Sequence, residues 1–94
     1  MEFFAPNKHR GGQPGVRTQS VRQGSLVFVS GQMSLDEHGK VVGETIAEQT
    51  RNVFDALERA LAAAGAAMTD VVKHNVFFVC ADDPASIDHA ISEI

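Results

Sequence analysis

The chain has 94 residues, 44% of them hydrophobic, with a net charge of −4 and a single cysteine. Those totals describe one domain, residues 1–94, which buries only about 60 to 65% of its unfolded surface, so partner subunits would add to its stability. They exclude an internal disulfide and point to a reducing cytoplasm; they also exclude a membrane span, for which no apolar run is long enough, and a broad basic face for nucleic acid, because the charge divides into +3 over residues 1–22 and −7 over residues 23–94.

In chain order, residues 1–12 read as a flexible, basic arm. An arginine near that end is either solvated or aimed at an anion. GGQPG, Gly11 to Gly15, is dense in chain breakers and reads as a loop. Val16 to Arg22 is expected as a short polar strand and Ser25 to Ser30 as a second, buried one. Asp36 to Gly39 is expected to turn, with Gly39 at positive φ, and Lys40 to Val42 to return as a short strand. Thr45 and Glu48 match a capping box. Ile46, Thr50, Val53, Leu57, Leu61 and Ala64 then recur at helical spacing, so residues 45–64 are expected to form an amphipathic helix. Gly65 suits its left-handed C′ position. Val71 to Cys80 is rich in β-branched and aromatic residues and reads as a strand. Asp82 or Asp83 then caps a second helix, with Pro84 at its first position and Ile87, Ala90 or Ile91, and Ile94 as its stripe. At Ile94 an open-ended helix and a longer polypeptide are equally compatible with the sequence. The whole order predicts an α+β fold, an antiparallel sheet with helices on one face.

Little conventional chemistry is spelled out. His74 and Cys80 share a strand face but stand roughly 20 Å apart at about 3.3 Å per residue, and His38 and His89 have no ligand spacing, so no metal site is expected. Cys80 reads as a small buried hydrophobe rather than a nucleophile. Gly11, Gly12 and Gly15 do not make a phosphate loop, and Ser30 does not lie in a hydrolase elbow. What stands out is Ser30-Gly31-Gln32, where an apolar strand ends in a residue without a side chain. Glycine there lets a ligand or another backbone come close. With Arg17 able to fork onto a carboxylate, and with Asp88, the residues point to a small carboxylate ligand.

VFVSGQMSLDEHGKVVG, EQTRNVFDALERALAAAG and MTDVVKHNVFFV, in that order, resemble the reactive-intermediate imine/enamine deaminase family, Rid or YjgF, also called the endoribonuclease L-PSP family. The likeness runs from about Val16 to Ile94. It implies a chorismate-mutase-like α+β fold, with a mixed or antiparallel sheet, two helices on one face and clefts between the subunits of a homotrimer. It also implies a cofactor-free hydrolysis of small 2-imino or enamine acids to 2-keto acids and ammonia. Ser30 and Gly31 match the cleft-lining strand end and are the candidate catalytic residues. Arg17 and Asp88 are the candidate substrate-binding residues, standing where the family commonly has tyrosine and asparagine. The family's carboxylate-binding arginine and water-orienting glutamate lie on C-terminal strands beyond Ile94. These departures leave a second reading, a non-catalytic trimer of the same family that binds small carboxylates. The ribonuclease activity of some members is disfavoured by the acidic body.

Overall fold

The structure, a computed structural model, describes residues 1–6, 18–78, 84–92 and 94. Three short strands, β1 (Glu2–Phe4), β2 (Ser20–Gln23) and β3 (Leu26–Val29), precede the long helix α1 (Ile46–Ala63). A single 3₁₀ turn, Met68–Asp70, and a second helix, α2 (Pro84–Ser92), follow. The strands form an antiparallel sheet in the order β1-β2-β3. Among the described residues this is the α+β arrangement expected, an antiparallel sheet with helices.

β2 and β3 make a two-residue hairpin through Gly24 and Ser25. Gly24 takes φ +60°, and positive φ at the first turn position belongs to the primed turns whose twist matches paired strands. The register sets Ser20 opposite Val29 and Arg22 opposite Val27, while Val21 faces Phe28 and Phe3. Alternation therefore divides the sheet into two faces. Phe4, Ser20, Arg22, Val27 and Val29 share the face that carries α1. Phe3, Val21, Leu26 and Phe28 share the other, which α1 does not cover: Phe3, Leu26 and Phe28 are each 60 to 63% exposed.

Helix α1 begins as its sequence dictates. Thr45 has extended φ/ψ, and its Oγ1 accepts from the Glu48 amide at 3.1 Å. The Glu48 carboxylate accepts from the Glu44 amide at 2.9 Å, one residue before the partner a capping box prescribes. At the other end Gly65 takes φ +80°. Its amide donates to Ala62 O at 3.0 Å and the Ala66 amide to Leu61 O at 2.8 Å, the pair of bonds that defines a Schellman ending. The most buried apolar side chains of the helix and its C-cap are Ala56, Ala60, Leu61 and Ala64. Val53 and Leu57 are only half-buried, so the packed face is rotated toward the small residues. The cause is visible at Ala60, whose carbonyl accepts from Ser20 Oγ at 2.9 Å. A bond that short between a helix backbone and a strand side chain requires close approach, which alanine permits. Helix α2 starts at Pro84 as expected and packs along α1, with Ala90 fully buried and Ile91 exposed.

Three expectations are corrected. Glu2–Phe4, placed in a loose arm, instead form the edge strand β1, paired to β2 over Glu2–Arg22, Phe3–Val21 and Phe4–Ser20. The reason is the apolar Phe3 and Phe4, which outweigh the basic residues that follow. The strand expected at Val71 to Cys80 is not a strand over Val71–Phe78. Extended backbone becomes a strand only when a neighbour takes its amides and carbonyls, and the order β1-β2-β3 includes no ladder to this segment. Val72 is 100% and Phe77 87% exposed. Finally, the short strand at Lys40 to Val42 is a single bridge, Leu35 to Val41. The GGQPG loop, Arg17, Cys80 and the cap at Asp82 or Asp83 lie outside the described residues.

Candidate functional site

The site begins where β3 stops. Ser30 continues the ladder by one bond, its amide donating to Gln19 O at 2.9 Å. Its hydroxyl donates to the same oxygen at a longer 3.3 Å. Gln19 in turn donates to Phe4 O at 2.7 Å, so the strand end is tied through β2's entry to β1. The Gln32 carboxamide folds back over Ser30, donating to its carbonyl at 3.1 Å and to its hydroxyl at 3.4 Å. Ser30 and Gly31 are both exposed.

Gly31 is the unusual member. Its φ is not positive, and a Cβ built on it meets no atom within 4 Å. Neither reason for a glycine, a left-handed conformation or a crowded neighbour, operates among the described residues. Gly65 is the contrast: it has positive φ, and an added Cβ would sit 2.9 Å from Arg22 Nη1. The bare peptide at Gly31 therefore faces outward, onto open space.

Beyond Gln32 the chain reaches a compact turn. Asp36 Oδ1 accepts from the His38 amide at 2.8 Å and from the Lys40 amide at 3.0 Å. The Asp36 amide donates to Lys40 O at 2.8 Å, and Gly39 takes φ +79° as expected. The Lys40 amide bond holds the Asp36 carboxyl below its ordinary 3.8; desolvation opposes this, and the His38 amide and the charges of His38 and Lys40 assist it. Ser34, two residues before this turn, is buried. Its hydroxyl donates to Val42 O at 2.6 Å and accepts from Asn52 Nδ2 at 3.0 Å. Ser34 and Asn52 carried no motif in the sequence, and the spacing of 18 residues between them has no local signature.

Of the four residues expected at the site, Ser30 and Gly31 are adjacent and exposed. Asp88 is exposed on α2, a different element, and Arg17 lies outside the described residues. His74 does not pair across a sheet; it meets Phe54 of α1 edge to face, with centroids 5.5 Å apart and planes at 89°. That contact lies at a groove of ≈ 590 Å³ between α1 and the Met68–His74 segment, walled by Phe54, Leu57, Met68 and Val71. A smaller recess of ≈ 170 Å³ lies between Met33, Leu35 and Val42 and the Asn52–Arg59 side of α1. Neither includes Ser30 or Gly31 in its lining. Among the described residues, no three of His, Cys, Asp and Glu gather closely enough to hold a metal ion, and no helix is long and apolar enough to cross a membrane.

The sequence profile described as endoribonuclease L-PSP matches residues 15–94. A RutC family protein of Pyrococcus abyssi is 36% identical over 80 residues, which are 84% of this chain and 63% of that protein. A 2-iminobutanoate/2-iminopropanoate deaminase of Salmonella typhimurium is 32% identical over 74 residues, covering 79% of this chain and 58% of that enzyme. A crystal structure from Thermotoga maritima superposes with a TM-score of 0.62 at 36% identity, over 77% of this chain and 57% of that one. The chain thus spans less than two thirds of the length of these relatives.

Proposed function

Since the chain belongs to the endoribonuclease L-PSP family, the YjgF/RutC proteins, we propose that it hydrolyses small 2-imino or enamine acids at clefts between the subunits of a homotrimer. The observation that carries this reading is Gly31: an exposed strand end whose missing side chain answers to nothing among the described residues. A planar imino acid lying against that peptide is one such outside partner. The apolar sheet face of Phe3, Leu26 and Phe28 supports the trimer, because exposed contiguous apolar area marks an interaction surface. The deaminase name of the Salmonella relative supports the chemistry.

In the proposed reaction water adds to the C=N carbon, the nitrogen takes up protons, and the C–N bond breaks to give a 2-keto acid and ammonia. No cofactor is required. Ser30, whose hydroxyl donates to Gln19 O at 3.3 Å and accepts from Gln32 at 3.4 Å, would turn from these long bonds toward the adding water or the departing nitrogen. Arg17 and Asp88 are proposed to hold the substrate, Arg17 through its carboxylate. The reducing cytoplasm expected from the lone Cys80 is the proposed setting.

The test is to generate 2-iminobutanoate in situ, add the protein and trap surviving imine with semicarbazide. Faster loss of trappable imine supports catalysis. An unchanged trap signal, with 2-oxobutanoate still raising the melting temperature, would establish the second reading, a small-carboxylate-binding trimer. That reading draws on Arg17 and Asp88, which stand where the resemblance implies a tyrosine and an asparagine at the cleft.

A further inference from the structure

We infer that Asn52 is a positioning residue for the Ser30–Gly31 strand end, an inference that rests on reading that strand end as the imine-binding surface. The loop from Ser30 to Ser34 is held at its two ends. At Ser30 the tie is to Gln19, as described. At Ser34 three bonds converge: the Val42 amide donates to Ser34 O at 3.0 Å, the Ser34 hydroxyl donates to Val42 O at 2.6 Å, and Asn52 Nδ2 donates to that hydroxyl oxygen at 3.0 Å. A hydroxyl has one proton, and Ser34 commits it to Val42. Its oxygen can then only accept, and the donor is Asn52.

Asn52 is the part of this clamp that belongs to α1. The same helix is bonded to β2 through Ser20 and Ala60 at 2.9 Å. The loop carrying Gly31 is therefore fixed relative to the sheet by two routes, one along the ladder at Gln19 and one through the helix at Asn52. Ser34 is only 6% exposed, so water is poorly placed to replace the carboxamide. The recess of ≈ 170 Å³ bordered by Met33, Leu35, Val42 and Asn52 leaves space into which the loop can sink once the clamp is cut. Asn52 itself does not touch the proposed substrate; it acts through Ser34.

The experiment compares Asn52→Leu, Ser34→Ala, the double variant and Ser34→Thr. The readouts are hydrogen exchange by NMR at the Ser30 amide, which is bonded to Gln19 O, and kcat and KM for 2-iminobutanoate. Exchange at Ser30 is expected to rise about ten-fold in either clamp-breaking variant and no further in the double variant, while amides at the centre of α1 keep their protection. KM is expected to rise about ten-fold with kcat within two-fold, and Ser34→Thr, which keeps the hydroxyl, to behave as the parent. Ser34→Ala cuts the same bond from its other end and decides the matter if Asn52→Leu fails to fold. Unchanged Ser30 exchange in a folded variant, or additive effects in the double variant, would overturn the inference. If the parent chain hydrolyses no imine, the functional reading fails alone, and Ser30 exchange still decides the role of Asn52.

Discussion

Arg22 Nη1 donates to Ala64 O at 2.9 Å while its Nε donates to Gly24 O at 3.2 Å, so one guanidinium joins the β2–β3 turn to the end of α1. It brings a positive charge to the negative end of the helix dipole. It also satisfies a carbonyl that the Schellman bonds leave over.

Arg22→Met is therefore expected to destabilise the fold by about 1 kcal/mol. Gly65→Ala is expected to cost about 1–2 kcal/mol, because alanine at φ +80° is strained and its Cβ would press on Arg22 Nη1. Combining the two removes the collision, so urea denaturation should show the double variant less destabilised than the sum.

Ser20 and Ala60 predict a second effect. Ser20→Ala removes the donor to a buried helix carbonyl and is expected to cost about 1–3 kcal/mol. Ala60→Leu is expected to be worse, since the residue is 0% exposed and the bond needs close approach. Thermal melts of both variants check the order.

Gly31→Ala separates stability from function. The added Cβ has open space, so stability is expected to stay within about 0.5 kcal/mol. Imine hydrolysis is expected to fall at least about ten-fold. A fully active, equally stable Gly31→Ala protein would remove the observation on which the proposed function stands.

The exposed sheet face gives a test of assembly. Phe28→Glu places a charge opposite Val21 and near Phe3 and Leu26, where burial against another subunit is proposed. Sedimentation is expected to show a smaller species than the parent, because an unpaired charge is costly to bury.

Asp36 predicts the response to acid. Its folded pKa is lowered by the amide bonds of the turn, led by that from Lys40. A depressed carboxyl stabilises the fold above its unfolded value and loses that contribution as pH falls through the folded one. Fraying of the Asp36–Lys40 turn is therefore expected below pH 3.8. NMR titration of the His38 and Lys40 amides is the check, and in Asp36→Ala those amides should no longer report the transition.

Much of the local structure was legible in the residues. Thr45, Glu48 and Gly65 announced the limits of α1, and Asp36 with Gly39 announced its turn, because capping and turn chemistry involve neighbours a few positions apart. The same reasoning failed at Val71 to Phe78. Side-chain propensity there favours a strand, but propensity supplies no hydrogen-bonding partner. Phe3 and Phe4 fell in a segment dominated by charge and chain breakers, and so their pairing with β2 was missed.

What the sequence determined by itself is the family, the start and stop of the long helix, and the odd placement of Gly31 after an apolar strand. Tertiary structure decided which side of α1 is packed, that Ser20, Arg22, Ser34 and Asn52 tie helix to sheet and loop, and that Gly31 looks outward. The physical reason is range. Caps, turns and periodicity are written within a few residues, whereas a bond such as Ser20 to Ala60 joins positions 40 apart and exists only once the chain has folded back on itself.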